Sequence, residues 1–156
     1  MGRVENSIII RAPPEKVWEM LAFDRQLEWD EDTQKDVKTM EFTSEVNTPE
    51  DKYRVGASVH VDIKGMGMGE FDYEITESLE NEKMTFHVKK SGTNLTTGIM
   101  TFILKPIEEG TEMTLVFDYE MPWGVFGKFF NKVGGQRMGE KHQEKCLEQL
   151  KNILEK

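Results

Sequence analysis

From Val37 to Met121 apolar and polar residues alternate along the chain, and from Trp123 onward the apolar residues instead recur at helical spacing. Val59, Val61 and Ile63 alternate with His60 and Asp62. Phe71, Tyr73 and Ile75 do the same, as do Met84, Phe86 and Val88, and then Met113, Leu115, Phe117, Tyr119 and Met121. A period of two puts each set on one face of a strand, so this region predicts an antiparallel meander with one apolar face. The segment Leu95 to Leu104 is apolar on both phases and reads as a strand in the sheet interior or one partly covered on both faces, so its phase alone does not assign its face. Thr43 to Arg54 is polar, contains Pro49, and reads as a loop or a short irregular edge.

The ends of the chain complete the pattern. Arg3 to Arg11 is rich in isoleucine and stops at Ala12, Pro13 and Pro14, where prolines forbid strand pairing but allow a helix to begin. Val17, Trp18 and Leu21 then follow helical spacing, and Asp24 to Asp32, with Leu27 and Trp29, predicts a second short helix. After Trp123, Phe126, Phe129, Phe130 and Val133 start a stripe that Cys146, Leu147, Leu150, Ile153 and Leu154 resume. The fold class is therefore α+β: a curved antiparallel sheet of about seven strands around a long C-terminal helix, with two short helices after strand 1. The 156 residues suffice for one domain, spanning 1–156. A helix about 10 Å across cannot fill the whole concavity of such a sheet, so a cavity is expected.

Hairpin registers follow from keeping the apolar faces together, because a slip by one residue flips every side chain. Pairing Ile63 with Phe71, Phe86 with both Ile75 and Met100, and Phe102 with Leu115 puts Val61, Phe71, Tyr73, Met84 and Phe86 on the face toward the helix. Met100, Phe102, Phe117 and Tyr119 share that face, with Phe126, Phe130, Val133 and Met138 opposite them on the helix. These residues either make a solid core or line a ligand cavity. Eight of the methionines, Met40, Met66, Met68, Met84, Met100, Met113, Met121 and Met138, would make such a lining deformable, although gap filling explains them as well.

Asp and Glu number 29 against 20 Lys and Arg, a formal charge of -9, and an acidic field repels phosphate backbones. Nucleic acid is not an expected partner. From Trp123 to the end, however, seven basic residues face four acidic ones, which leaves an anionic surface or acidic partner open beside a simple solvated face. A lone cysteine, Cys146, makes no internal disulfide and fits a reducing compartment. No early apolar run is long enough for a signal peptide, so the cytoplasm is the expected location and no integral membrane association is expected.

The run from Ser7 to Trp18, followed by Leu21, Asp24 and Trp29, resembles the opening of the polyketide cyclase/dehydrase and lipid-transport family. That family belongs to the SRPBCC superfamily, with START domains and the birch-pollen-allergen-like proteins. The stretch from Gly110 to Met121, leading into a helix that closes with Leu147, Leu150 and Leu154, is similar in style. The resemblance spans nearly the whole chain and specifies fold far more than reaction. It implies a helix-grip domain with a deep apolar pocket for a lipid, polyketide, sterol or other hydrophobic molecule, and it favours the cavity over the solid core. Carriers, receptors, cyclases and co-chaperones all occur in this superfamily, so the fold alone does not choose among them.

Other motifs carry less. Gly65 to Gly69 lacks the third glycine of a nucleotide loop, since Glu70 and Asp72 occupy the positions it would need, and it reads as a hairpin turn whose methionines could lid the pocket. Gly134 and Gly135, with Gly139, mark either a hinge, a close helix-to-sheet contact, or a loop before a shorter helix from about Gln136. His60 and His87 are expected across from Glu74 on the outer face, where charge pairing outweighs zinc, and no metal or cofactor is assigned. His142 lies on the helix stripe four residues from both Met138 and Cys146. It is either structural or, with Tyr73 or Tyr119, the best choice for proton transfer in an enzyme. Cys146 has no activating partner visible in sequence. Binding or transport of a hydrophobic molecule is the leading expectation, ahead of a cyclase or dehydratase and of a co-chaperone-like module.

Overall fold

The structure, a computed structural model, describes residues 2–30, 34, 37–63, 69–92, 96–119 and 136–156, without the side chains of residues 96, 119 and 136–139. The elements are β1 (Gly2–Ile10), α1 (Pro14–Glu19), α2 (Phe23–Gln26), β2 (Val37–Phe42), β3 (Ser58–Ile63), β4 (Gly69–Leu79), β5 (Lys83–Lys90), β6 (Thr96–Ile107), β7 (Gly110–Tyr119) and α3 (Gln136–Leu154). A single 3-10 turn, Pro49–Tyr53, occupies the loop after β2. All seven strands form one antiparallel sheet in the order β1-β7-β6-β5-β4-β3-β2. The meander is interrupted only at β1, which closes onto β7, the last strand in the chain.

Three of the four expected registers are present: Ile75 pairs with Phe86, Phe86 with Met100, and Phe102 with Leu115. The fourth is displaced by two residues, with Val61 rather than Ile63 opposite Phe71, and Ile63 opposite Gly69. A shift of two keeps the parity, so the apolar faces stay together. The same displacement puts His60 opposite Asp72, leaving only His87 opposite Glu74. Irregularities in pairing between Ile75 and Glu77 and between Val88 and Lys89 add the local twist that bends the sheet.

Proline again explains the first corner. Pro14 is the first residue of α1, where a missing N–H costs nothing, and Pro13 precedes it in extended conformation. Thr111, fully buried, donates its hydroxyl to the Ala12 carbonyl at 2.8 Å and so ties this corner to β7. Gly110 is required beside it: a Cβ there would stand 2.3 Å from the Ile10 carbonyl oxygen. The chain then turns through a buried polypeptide corner in which Trp29 Nε1 donates to the Met20 carbonyl at 2.9 Å and Gln26 Nε2 to the Leu21 carbonyl at 2.8 Å. The second helix is shorter than the sequence pattern suggests, because Leu27 already caps it and Trp29 lies beyond it.

That corner drives aromatic rings into the concave face. Trp29 meets Phe102 edge to face at 6.1 Å, Phe102 meets Phe86 at 6.0 Å, and Phe23 meets Tyr73 at 4.6 Å. Such pairs add to the burial that the rings already contribute. At the other side α3 lies along β1 with Cys146, Leu147 and Leu150 buried. Buried Gln143 fixes its rotation, since Asn6 Nδ2 donates to Gln143 Oε1 at 2.8 Å, and Lys151 Nζ donates to the Ile9 carbonyl at 2.8 Å near the far end. Phe102 is fully buried at the junction of sheet and corner. Phe102→Ala is expected to lower unfolding free energy by about 3–5 kcal/mol, seen as a lower urea midpoint with an unchanged slope.

Candidate functional site

Between the α2 corner, the concave face of the central strands and α3 lies a cavity of about 180 Å³. Phe23, Leu27 and Trp29 form one wall, Tyr73, Val88, Met100, Leu115 and Phe117 the sheet wall, and His142, Gln143 and Cys146 the helix wall; Gln26 and Asp30 complete it. The volume is near the roughly 150 Å³ that admits a single aromatic ring and below the roughly 300 Å³ at which drug-sized ligands begin to fit. Apolar side chains dominate the sheet side, and the polar groups gather where the α2 corner meets α3.

Of the residues that the sequence pattern placed in a ligand site, Tyr73, Met100 and Phe117 stand on this cavity wall. Val61, Met84, Phe86 and Phe102 are on the same face but fully or almost fully buried in the core beside it, and Phe71 is half-buried off the wall. Phe126, Phe130 and Val133 lie outside the described residues, as do Gly134, Gly135, Met66 and Met68, and the side chains of Tyr119 and Met138. The shape of the wall at Phe117 depends on Gly98: a Cβ at that position would come within 2.7 Å of the Phe117 ring.

The polar end of the cavity is a cluster that sequence did not assemble. Asp30 Oδ1 is 3.4 Å from His142 Nε2, and Cys146 Sγ is 3.6 Å from the same nitrogen. His142 and Cys146 are one helical turn apart and face the same way; Asp30 arrives from the end of the α2 corner, held there by the buried hydrogen bond of neighbouring Trp29. The hydrogen bond to Asp30, followed by the contact with Cys146, holds the His142 imidazole well above its ordinary pKa against the opposing effect of burial. Burial raises the Cys146 thiol, with the neighbouring imidazole pulling the other way. Tyr73 is pushed up to about 12, by burial first and then by the charge of Asp30.

On the outer face His60 is arranged differently. Its Nδ1 meets Asp72 at 2.7 Å and its Nε2 meets Glu70 at 3.2 Å, and these hydrogen bonds, Asp72 first, raise its pKa. The two carboxylates take opposite sides of the ring, so they make an ion-paired surface row and do not converge on one point.

A seven-stranded sheet curved around helices, with a cavity between them, defines the helix-grip class. The chain belongs to the polyketide cyclase / dehydrase and lipid transport family, whose sequence profile it matches over residues 1–155. No curated protein matches it in sequence. Among solved structures, a crystal structure of a Thermus thermophilus protein is 21% identical with a TM-score of 0.67, covering 98% of this chain and 97% of that one. A Staphylococcus aureus protein of unknown function gives 13% identity and a TM-score of 0.69, over 99% and 93% of the two chains. The solution structure of the Aha1 dimer from Colwellia psychrerythraea gives 17% and 0.63, over 99% and 96%. At these identities the likeness shows the fold. No described helix is long and apolar enough to cross a membrane.

Because the folded protein holds the Tyr73 proton more tightly than the unfolded chain, stability from this group is complete below pH 10.0 and is lost as pH rises toward about 12. The alkaline decline in urea-unfolding free energy should therefore be shallower in Tyr73→Phe than in the wild type, and the variant should lose a phenol that titrates toward about pH 12 in ultraviolet difference spectra.

Proposed function

We propose that this domain binds one small, mainly apolar molecule with a polar end, and holds it without transforming it. The observation that carries this reading is the cavity of about 180 Å³ with ring-bearing and aliphatic walls and its polar side chains gathered at one end. Affinity comes from apolar surface removed from water, at roughly 25 cal/mol per Å² before the cost of immobilising the guest is subtracted. Orientation comes from Tyr73, Gln143 and the Asp30–His142 pair, which offer hydrogen bonds at the polar end. Family membership supports a guest of this kind, and the acidic surface disfavours nucleic acid. The lone thiol fits a cytoplasmic setting, where it stays reduced.

The test is twofold. Organic extraction of the purified protein, followed by mass spectrometry, should yield a hydrophobic compound close to one per chain. Phenol added to the extracted protein should shift the methyl NMR signals of Val88, Met100 and Leu115 in a saturable way. Val88→Phe fills the wall and should weaken phenol binding by at least about tenfold, equivalent to about 1.4 kcal/mol, while the protein remains folded. No extracted compound together with unmoved methyl signals would overturn the reading.

A second reading is favoured by one specific observation, the Asp30–His142 pair at the cavity wall. A carboxylate-bound imidazole beside a bound carbonyl compound is equipped to move a proton, as a cyclase or dehydratase requires. Under that reading His142→Gln abolishes turnover of a bound substrate while leaving its binding intact. Under the binding reading it alters affinity alone. A co-chaperone role, compatible with the Aha1 likeness, would instead leave the cavity without a guest and place the activity on the surface.

A further inference from the structure

We propose that Asp30, His142 and Cys146 form a zinc-type metal site, with Asp30 Oδ1, His142 Nε2 and Cys146 Sγ as its protein ligands and the fourth position open to the cavity. The three donor atoms lie within 4.8 Å of one another. With ordinary zinc bond lengths to oxygen, nitrogen and sulfur, the edges of a tetrahedral site are about 3.4 Å between nitrogen and oxygen and about 3.6 Å between nitrogen and sulfur. The observed separations are 3.4 Å and 3.6 Å. Two edges of the triangle thus match a tetrahedral site, and the third, between Asp30 Oδ1 and Cys146 Sγ, is no longer than 4.8 Å.

The arrangement also argues against a nucleophile relay. In a Cys–His–Asp relay the carboxylate holds one ring nitrogen and the thiol meets the other. Here both converge on Nε2. Convergence of an oxygen, a nitrogen and a sulfur on one point is what a borderline-soft divalent ion uses, and the one-turn spacing of His142 and Cys146 on α3 is a chelating spacing. His60 lacks this property, because its carboxylates sit on opposite nitrogens.

Binding forms one bond from the metal to each donor, and the thiol proton, with any proton on Nε2, leaves to the buffer. Three protein ligands with a fourth position facing a cavity is the open form of a zinc site rather than the closed structural form. A water molecule or the polar end of a guest, such as a carbonyl or carboxylate oxygen, would complete it. Only that last ligand rests on the binding function proposed above; the metal site itself does not.

Cobalt(II) alone is the probe. Titrated into the chelator-treated 156-residue chain with no guest added, it should bind one ion per chain. The bound ion should give a thiolate-to-cobalt charge-transfer band and the intense visible bands of tetrahedral cobalt, and zinc should displace it. Cys146→Ser should abolish the charge-transfer band, Asp30→Asn and His142→Gln should each weaken binding by at least about tenfold, and His60→Gln should leave it unchanged. Absence of the thiolate band in the folded wild-type protein overturns the proposal without reference to any variant. Binding that survives Cys146→Ser but is lost in His60→Gln overturns it too, by moving the ion to the outer face. Near-ultraviolet circular dichroism verifies the folding of each variant. A protein that takes up cobalt but no phenol, or phenol but no cobalt, separates this site from the guest-binding function.

Discussion

A sheet of seven strands offers a concave apolar face wider than any one helix can cover, and this mismatch of widths governs the molecule. Two separate pieces of chain cover the face among the described residues. The α1–α2 corner drives Phe23 and Trp29 into it from one side, and α3 lies along β1 on the other. Each is fixed by polar bonds to backbone or side chain: the buried Trp29 to Met20 and Gln26 to Leu21, and the partly buried Asn6 to Gln143. In a low-dielectric interior an unmade bond of this kind costs about 1–3 kcal/mol, so the two covers keep their positions and do not slide together to close the space between them. The cavity is what remains.

The fold was largely legible because its information is periodic. Alternation identified β3, β4, β5 and β7, a run apolar on both phases identified β6, and parity preserved the face assignment even where the β3–β4 pairing lies two residues away from the expected one. Tyr73 and Phe117 could be placed on the concave side from alternation, and Met100 from its expected pairing with Phe86. Alternation cannot say how deep a residue sits along that side, which is why Phe102 and Met84, equally inward in phase, are in the packed core. Depth depends on what covers the sheet, and the cover at that point is the aromatic corner, whose rings enter through irregular backbone with no period to read.

The polar cluster illustrates the same limit from another direction. His142 and Cys146 were visible as neighbours on one helical stripe, but the residue that completes the cluster, Asp30, stands 112 residues before His142 along the chain, after α2, and no spacing in the sequence links it to them. Asp30 stood in the acidic stretch Asp24 to Asp32, which reads as a second short helix and carries no sign of a ligand. What distinguishes it from Asp24, which pairs with Lys52 at the rim at 2.7 Å, is the orientation conferred by the buried indole next to it. The outer-face histidine, His60, was predictable as an ion-paired group because cross-strand geometry is periodic too; only its partner changed with the register.

Gly98 gives the wall of the cavity an adjustable element that is itself outside the wall. The Phe117 ring rests in the volume a side chain at that backbone position would occupy. A single methyl group on β6 would thus transmit its bulk through the ring to the space beyond, resizing the chamber while none of the surfaces touching its contents had been altered. Relatives sharing this scaffold could diverge in what they accommodate by exchanging one small residue behind an aromatic shutter, with the strands, the corner and the polar end retained.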